Sequence, residues 1–496
     1  MKFSPLWQSG LMTSVGKLPT ELDAGALALL LGTVEGDGQP LYRALSDALR
    51  RIIADGSIGA GNRLPPERAL SAALGVSRVT VTSAYKALRG QGWAEAIHGA
   101  GTFVSIPVEE TSWGTMMRSE SPGVLDFVNA APEASPFLAA AYAAALTTVN
   151  SALAGHGYAP SGTTALRTAI AARYTERGLP TTSDQIVVTS GAGDATHLAF
   201  ETFARPGDRV LVEHPTYPGV VEALESAGAL AVPVPLDASE PDAFVDDADR
   251  AARQSAPTLA YLMPDFSNPS GARMTAAGRR RLAATMARHG ILTVVDEVAA
   301  DLALDGMPML EPFGVPTPGT ATISIGSLSK SVWGGLRVGW VRSDRELVAR
   351  MARTYARRQL SVSVLEQAVA LHVLARYDDV LAARRTWLRG QRDLLVSHMR
   401  AELPEWTFRV PDGGLSLWCS LPDGITSDDV VRRAATRNLL LARGTRFGTG
   451  YAFDDRLRLP FTRPAAELGA AVRVLAETFS GAAGDGHPVE PAELVV

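Results

Sequence analysis

The chain has 496 residues, which is enough for one small and one large domain, or for roughly three domains of about 150 residues each. Its net charge of −5 at pH 7 provides no overall attraction to nucleic acid or to a membrane, so any basic surface must be local. The single cysteine excludes an internal disulfide and fits a reducing cytoplasm best, although a lone cysteine is also compatible with export. The amino terminus lacks the apolar core of a signal peptide, and the apolar stretch at residues 26–32 is too short to span a bilayer. We therefore expect a cytoplasmic protein without a membrane segment.

Residues 1–40 are weakly patterned and form a predicted N-terminal extension, whereas residues 41–105 predict three helices followed by a β-hairpin. Gly75 interrupts the helical pattern, and Ser77 is placed to cap a third helix that runs to about Arg89. Two helices joined by a turn that contains glycine are typical of a helix-turn-helix, whose second helix enters the major groove of DNA. The same pattern is also compatible with a three-helix protein-interaction module that carries a hairpin.

The charge of this predicted unit favours DNA binding. Eight basic residues stand against four acidic ones between positions 41 and 105, although the whole chain is acidic. Binding to phosphates requires such a local surplus of positive charge. The third helix also begins with short polar and basic side chains, which are the types that read base edges.

The stretch RLPPERALSAALGVSRVTVTSAYKALRGQGW, followed by HGAGTFV, resembles the winged helix-turn-helix domain of the GntR family of bacterial repressors. The resemblance implies that a double-stranded DNA operator is the partner. Val79 stands at a position that is often polar in that family, so the base preference at this position stays open. The DNA contacts implied by the resemblance are Arg68, Ser77, Arg78, Thr80 and Thr82, with Gly99 at the tip of the wing.

The remainder of the chain predicts an α/β domain. Residues 106–122 lack a clear period and form a predicted linker, and residues 123–480 form the predicted large domain. From about residue 150, apolar β-branched strands alternate with helices, which is typical of a mostly parallel sheet covered on both faces, and a smaller α+β lobe follows. Residues 481–496 are rich in glycine, proline and glutamate and are predicted to be disordered.

Lys330 lies at the carboxyl end of a predicted buried strand, within SLSK. A lysine in such a place is costly unless it is used, and desolvation lowers the pKa of its amine, which makes it nucleophilic. Ligands of open α/β sheets bind at the carboxyl ends of the strands. The ordinary alternative is that the side chain extends along the surface to solvent.

Other predicted strand ends carry polar groups that suit one cofactor. Ser327, Ser329 and Arg337 offer two hydroxyls and a bidentate cation, and the glycine-rich turn at residues 191–193 opens a helix, so both sets suit a phosphate. Asp296 ends another strand, and a carboxylate that faces a pyridine nitrogen keeps that nitrogen protonated. Together these groups indicate pyridoxal phosphate.

Two further residues fit the same cofactor. Tyr217 could stack on a flat ring, and Asn268 could donate to the phenolate oxygen of that ring. Each residue alone has an ordinary alternative, since Asp296 could cap a helix, Tyr217 could be a core aromatic and Asn268 could form a turn. The ordered set at successive strand ends favours the cofactor site.

SLSK also matches the S-x-x-K motif of serine β-lactamases and penicillin-binding proteins, in which the serine is the nucleophile. Those enzymes also require S-D-N and K-T-G, and neither tripeptide occurs in this sequence. The alternation of strands and helices around the motif differs from theirs as well. This alternative is therefore rejected.

The region from about residue 150 to 480 resembles the fold-type I aminotransferases, and its fusion to a GntR-type domain resembles the MocR subfamily of transcriptional regulators. The step of seven residues from Lys330 to Arg337 is the MocR spacing. The resemblance implies that Lys330 forms the internal aldimine, a Schiff base with pyridoxal phosphate, and that the chain is a homodimer. The resemblance also implies that Arg458 binds the α-carboxylate of an amino acid. The implied cofactor contacts are Gly191, Ala192, Gly193, Tyr217, Asn268, Asp296, Ser327, Ser329, Lys330 and Arg337.

One position departs from the family pattern. Most of these proteins carry a tyrosine two or three residues after the aspartate, where this chain has Val298 and Ala299. A missing phenol removes one hydrogen bond to the cofactor and favours sensing over efficient transamination. We expect a regulator that senses pyridoxal phosphate or an amino compound through aldimine exchange. The alternatives are an active aminotransferase with an autoregulatory DNA-binding domain, and a dimerisation domain that has lost the cofactor.

Overall fold

The chain forms two compact units, Met1–Ser121 and Pro122–Val496, which we call the amino-terminal and the carboxyl-terminal unit and describe separately. Gly99, the predicted linker at 106–122 and the predicted disordered tail at 481–496 lie outside the described residues. The computed structural model describes residues 23–32, 40–54, 58–59, 62–90, 93–97, 101–105, 123–150, 152–314, 321–449 and 452–479.

The amino-terminal unit has the predicted helix-turn-helix and hairpin. Gly75 adopts the left-handed conformation with φ 67°, which turns the chain between the second and third predicted helices. The Oγ of Ser77 accepts the backbone N–H of Thr80 at 3.1 Å, so the predicted cap is formed. The elements are α1 (Ala24–Leu31), α2 (Leu41–Ala54), α3 (Glu67–Leu74), α4 (Arg78–Gly90), β1 (Ala94–Ile97) and β2 (Gly101–Val104), and β1 pairs antiparallel with β2.

Helix α1 lies in the segment that the sequence analysis left as a weakly patterned extension. The carboxylate of Asp23 accepts the N–H of Ala26 at 3.0 Å and caps the helix. Leu27 is completely buried and packs in one apolar cluster with residues of α2 and α4, including Leu49 and Tyr85. The helix-turn-helix core therefore includes a helix from the extension.

Leu27→Ala is expected to lower the free energy of unfolding of the amino-terminal unit by about 2–5 kcal/mol, because it leaves a cavity in that core. Native-state hydrogen exchange of the amides of α4 across a urea series measures this loss. Leu29→Ala on the same helix is the matched control, because Leu29 is 86% exposed and its loss should cost within about 0.5 kcal/mol. Equal losses for the two variants would show that α1 does not pack as described.

The carboxyl-terminal unit contains a seven-stranded sheet in the order β4-β10-β9-β8-β7-β5-β6 and a five-stranded sheet in the order β11-β12-β14-β13-β3. In the larger sheet β10 is the antiparallel strand, so the predicted mostly parallel sheet is confirmed. The strands are β3 (Leu125–Phe127), β4 (Ile186–Thr189), β5 (Arg209–His214), β6 (Leu230–Pro235), β7 (Leu259–Leu262), β8 (Leu292–Asp296), β9 (Thr322–Ser327), β10 (Gly339–Arg342), β11 (Thr407–Phe408), β12 (Ser416–Ser420), β13 (Leu439–Arg443) and β14 (Arg456–Pro460).

Helices cover both faces of the seven-stranded sheet. Along β4, Val187 packs into one apolar cluster and its neighbour Val188 into another, since successive side chains of a strand point to opposite faces. The helices are α5 (Leu138–Val149), α6 (Thr164–Glu176), α7 (Ala192–Phe203), α8 (Pro218–Ala227), α9 (Phe244–Ser255), α10 (Ala276–His289), α11 (Arg345–Arg358), α12 (Val364–Leu374), α13 (Tyr377–Glu402), α14 (Ser427–Ala435) and α15 (Ala465–Phe479).

The five-stranded sheet forms the smaller lobe, which packs α13, α14 and α15 around an apolar cluster of its own. Within the described parts of the chain, no helix is both long enough and apolar enough to cross a membrane. The same described ranges contain no group of three or more histidine, cysteine or acidic side chains placed to hold a metal ion.

Candidate functional site

The predicted site residues converge at one edge of the seven-stranded sheet. Because β10 runs against its neighbours, its first residue, Gly339, pairs with Thr189 at the end of β4 and with Ser327 at the end of β9. Asp296 ends β8 and pairs with Ile325 of β9, two residues before the end of that strand. The ends of β4, β8 and β9 therefore place their polar residues around one point, where Lys330 follows β9.

Lys330 is partly buried at this point, and its Nζ donates to the backbone carbonyl of Ala130 at 2.9 Å. Burial lowers the pKa of its amine to about 8, and the nearby positive charges of Arg458 and Arg337 lower it too, while Asp296 acts in the opposite direction. An amine with this pKa loses its proton far more readily than an ordinary lysine, which suits a nucleophile.

Lys330 also stands out in composition. The chain has four lysines, of which the other three precede residue 87, so Lys330 is the sole lysine of the carboxyl-terminal unit. Apart from histidine, arginine supplies the remaining basic side chains of this unit. This count is a sequence signal that singles out the residue independently of any motif.

The carboxylate of Asp296 is fixed by two donors. Its Oδ2 accepts the hydroxyl of Tyr261 at 2.7 Å, and its Oδ1 accepts the backbone N–H of Val298 at 2.9 Å. Burial raises the pKa of this carboxyl, whereas the two hydrogen bonds and the charge of Lys330 oppose the rise. The side chain is thus held in one orientation at the sheet edge.

Tyr261 is a site residue that the sequence reasoning missed. It lies in the middle of β7, a wholly buried strand, and is itself fully buried. A buried phenol needs a hydrogen-bond partner, which was the available signal, but the identity of that partner depends on how β7 lies beside β8.

Arg337 lies beside the turn at the start of α7. It adopts the left-handed conformation with φ 51°, and its Nη2 donates to the carbonyl of Ser190. Gly191 precedes the helix, and a Cβ at that position would lie 2.9 Å from the same Nη2. The first N–H groups of α7, at Ala192 and Gly193, have no partner within the helix. A guanidinium and free helix N–H groups together suit a phosphate.

The two serines before Lys330 differ in what their hydroxyls do. The Oγ of Ser327 donates to the carbonyl of Val338 at 3.0 Å and accepts the N–H of Ser329 at 3.1 Å, so this hydroxyl stabilises the turn after β9. Ser327 is buried, whereas Ser329 is partly exposed. Of the two predicted phosphate ligands, Ser329 therefore has the hydroxyl that is freer to donate.

Arg458 is a buried cation on β14, with 6% of its surface exposed. Its guanidinium donates to the carbonyl of Val128 and, at 3.3 Å, to the Oδ1 of Asn268, while its Nε has no partner. The carbon of the guanidinium lies 4.8 Å from the ring centre of Phe447. Burial, followed by the charge of Arg446, lowers the pKa of Arg458 to about 10. Among the described residues it forms no ion pair with a carboxylate, so an anionic ligand would stabilise it.

Tyr217 precedes α8 at the N-cap position, and its ring lies over Gly219, where a Cβ would come within 2.5 Å of the ring. Burial raises the pKa of its phenol, and the charge of Asp296 adds to this rise. Val298 and Ala299 occupy the places that the family pattern gives to a tyrosine, and neither supplies a hydroxyl.

The predicted DNA-contacting residues lie at the start of α4 and on α3. Arg78 and Arg68 are exposed, and Arg78 forms a loose ion pair with Glu67 at 3.7 Å. The hydroxyl of Thr82 donates to the same Glu67 at 2.7 Å, so this threonine also holds α3 against α4. Val79 is 74% exposed, which leaves an apolar side chain on the face that would meet a groove.

Tyr261→Phe is expected to lower the free energy of unfolding by about 1–3 kcal/mol at pH 8, because it removes a hydrogen bond from a buried phenol to a partly buried carboxylate. The pKa of Asp296 is already raised in the folded state, so the native chain binds this proton more tightly than the unfolded chain does. Removing the phenol raises that pKa further, and the loss should therefore be smaller at pH 5 and grow as the pH rises.

Urea unfolding at several pH values measures this loss, and a double-mutant cycle with Asp296→Asn isolates the pair. A coupling energy near zero, or a loss that does not change with pH, would contradict the described contact.

Comparisons with known proteins match both units. Residues 41–104 match the gntR family of bacterial regulatory proteins. Residues 129–475 match the family aminotransferase class I and II. The chain is 29% identical over 436 residues to the uncharacterized HTH-type transcriptional regulator YdcR of Escherichia coli, covering 82% of this chain and 92% of that protein. It is 27% identical over 426 residues to the probable rhizopine catabolism regulatory protein MocR of Rhizobium meliloti, covering 80% and 84%.

Among solved structures, the α-aminoadipate aminotransferase of Thermus thermophilus, complexed with N-(5′-phosphopyridoxyl)-L-leucine, has a TM-score of 0.67 and 24% identity, covering 74% of this chain and 96% of that one. This likeness shows the fold. Together the comparisons confirm the predicted fold class, a winged helix-turn-helix followed by a fold-type I aminotransferase-like unit.

Proposed function

The chain belongs to the aminotransferase class I and II family and carries a GntR-type DNA-binding domain in front of it, as MocR-type regulators do, and from this premise we propose that it is a cytoplasmic transcriptional regulator that binds pyridoxal phosphate. Its carboxyl-terminal unit senses the cofactor or an amino compound. The single observation that carries the proposal is Lys330, the sole lysine of that unit, which lies partly buried at the sheet edge with a lowered pKa.

The residues present fit this cofactor. Because Gly191 has no side chain, the guanidinium of Arg337 can lie against the start of α7. This guanidinium and the first N–H groups of the helix would hold the phosphate. The buried Nε of Arg458 has no hydrogen-bond partner, so a second anionic group would stabilise this guanidinium. Pyridoxal phosphate supplies an aldehyde that reacts with primary amines and a pyridine ring that withdraws electrons.

The remaining side chains orient such a ring. Asp296, fixed by two donors, would hold a proton on the ring nitrogen, and Tyr217 would cover one ring face. Arginine can only donate, so Arg458 turns the Oδ1 of Asn268 towards itself and leaves the Nδ2 of that amide to donate to the ring oxygen. Lys330 would react with the aldehyde through its Nζ after losing a proton, which its lowered pKa favours.

The second candidate function is an active aminotransferase. The presence of Lys330, Asp296 and Arg458 in one site favours it. Val298 and Ala299 favour the regulatory role, since no phenol follows Asp296 to contact the ring oxygen. Steady-state turnover of an amino donor with a keto acid distinguishes the two functions.

We further propose that the chain acts as a homodimer on paired operator half-sites. Tyr158 and Leu360 are 58% and 60% exposed, and the N–H of Ala159 donates to the Oγ of Ser361 at 3.2 Å, so the two side chains belong to one surface. Exposed apolar side chains that share a surface are typical of an interface. We also propose that residues 41–105 form the DNA-binding domain and that residues 123–480 form the cofactor-binding domain.

The first test is the visible absorbance of the full chain with pyridoxal phosphate. The wild type is expected to develop a yellow band that Lys330→Ala lacks, and borohydride reduction followed by peptide mapping should place the label on Lys330. Lys86→Ala is the matched control and should keep the band. Below about pH 8 the rate at which the band forms should rise about tenfold per pH unit and then level off, because the unprotonated amine is the reactive form.

An unchanged band in Lys330→Ala would contradict the proposed role of Lys330, and the absence of a band in the wild type would contradict cofactor binding. Sensing is tested separately by DNA affinity. If saturating cofactor and amino acids leave that affinity unchanged, the regulator does not sense them.

Arg78→Ala is expected to weaken DNA binding about 5- to 100-fold, because it removes a cation from the leading end of α4. Fluorescence anisotropy measures this on duplexes that the wild-type full chain selects from a random-sequence pool. Arg205→Ala, an exposed arginine of the carboxyl-terminal unit, is the control and should bind as the wild type does. Unchanged affinity in Arg78→Ala would mean that α4 does not read the groove.

A further inference from the structure

The hydroxyl groups at the start of α4 are largely engaged within the protein. The Oγ of Ser77 accepts the N–H of Thr80 at 3.1 Å and lies 2.8 Å from the hydroxyl oxygen of the same residue, so one of these two hydroxyls donates to the other. The hydroxyl of Thr82 donates to the carboxylate of Glu67 at 2.7 Å. Each hydroxyl has one proton, so two of the three protons are already used and little remains for the base edges of DNA.

Arg78 and Val79 project from the same end of the helix into solvent. Arg78 forms the loose ion pair with Glu67 at 3.7 Å, and Val79 is 74% exposed. The opposite face of α4 packs into the core of the amino-terminal unit through Val81 and Tyr85, which are both buried. These two exposed side chains are therefore available to a groove at this end of α4.

The face of α4 that carries Val79 also carries a cation. Ser83 and Lys86 follow Val79 at steps of four and seven residues, which places the three side chains on one side of the helix. Lys86 is exposed, and at 1.5 Å per residue it lies about 10 Å further along the helix axis. An apolar side chain between Arg78 and Lys86 differs from the contiguous apolar patch of a protein interface and suits a polyanion.

The major groove of DNA offers one apolar group, the C5-methyl of thymine. The other groups on the base edges are hydrogen-bond donors and acceptors, and an apolar side chain placed against them removes their water without replacing it. A valine in a helix has one strongly preferred rotamer, so its two methyl groups are held in place and lose little freedom on binding. Val79 therefore matches a thymine and mismatches the polar edges of the other bases.

We propose that Val79 is a specificity residue that reads the C5-methyl group of a thymine in the major groove of the operator. Arg78 beside it supplies a charge-assisted hydrogen bond from the same end of α4. This inference rests on the proposed function, because it concerns the DNA that the regulator binds. It assigns a base preference to the position at which this chain departs from the polar residues common in the GntR family.

The test replaces one thymine at a time by deoxyuridine in the duplex that the wild-type full chain selects from a random-sequence pool. Deoxyuridine forms the same base pair and lacks only the methyl group. Fluorescence anisotropy at a fixed salt concentration measures each affinity. At least one thymine is expected whose replacement weakens binding of the wild type about three- to tenfold, the effect of losing one buried methyl contact.

Val79→Ala is expected to bind the thymine and the deoxyuridine duplex equally, because the methyl groups that contact the thymine are gone. Val79 is exposed, so this change leaves no cavity and the variant folds as the wild type does. Arg68→Ala is the matched control, since Arg68 is an exposed cation of α3. It should weaken binding of both duplexes by the same factor and keep the wild-type preference for thymine.

A preference for thymine in Val79→Ala as large as that of the wild type would overturn the inference, because another group would then read the methyl. A wild type that selects a duplex but loses no affinity at any deoxyuridine would overturn it too, and the proposed function would stand. A wild type that selects no duplex from the pool would refute the proposed function, and the inference would fall with it.

Discussion

Three basic side chains and one partly buried carboxylate meet at the edge of the seven-stranded sheet, and this imbalance of charge constrains the rest of the carboxyl-terminal unit. Lys330, Arg337 and Arg458 are held there by backbone carbonyls, and Arg458 is the buried cation of the three. The negative charge of Asp296 acts on Lys330, and that of Asp126 acts on Arg458. A buried cation without a carboxylate is unstable unless an anion completes its surroundings. The fold therefore maintains an arrangement whose electrostatic energy improves when a phosphate and a carboxylate bind.

Much of this site can be predicted from the sequence, because the residue pattern shows where each strand ends. Lys330 and Asp296 each follow a run of apolar β-branched residues, and the carboxyl ends of parallel strands share one edge of a sheet. Gly191 could be predicted in the same way, because a glycine between a strand and a helix leaves the first N–H groups of the helix accessible to a phosphate. These positions depend on local pattern and on one general rule of topology.

Other features depend on contacts that a linear pattern does not contain. The hydroxyl of Tyr261 reaches Asp296 from a neighbouring strand, and the sequence separation of 35 residues hides this pairing. Ser327 was expected to bind a phosphate, but its hydroxyl donates to the carbonyl of Val338. The residue types alone do not determine the geometry that brings these two groups together. Helix α1 was missed because AGALALLL is apolar on every side and has no amphipathic period, so its packing partners alone reveal it.

The scarcity of lysine has a chemical consequence for selectivity. Aldehydes react with any accessible primary amine, and surface lysines are the usual sites of such unwanted adducts. In the carboxyl-terminal unit arginine carries the surface charge, and guanidinium groups stay protonated and do not compete at neutral pH. The unit therefore offers a carbonyl compound one side-chain amine, that of Lys330, and this amine also has a lowered pKa. Both the composition of the unit and the surroundings of Lys330 thus make the reaction selective for this residue.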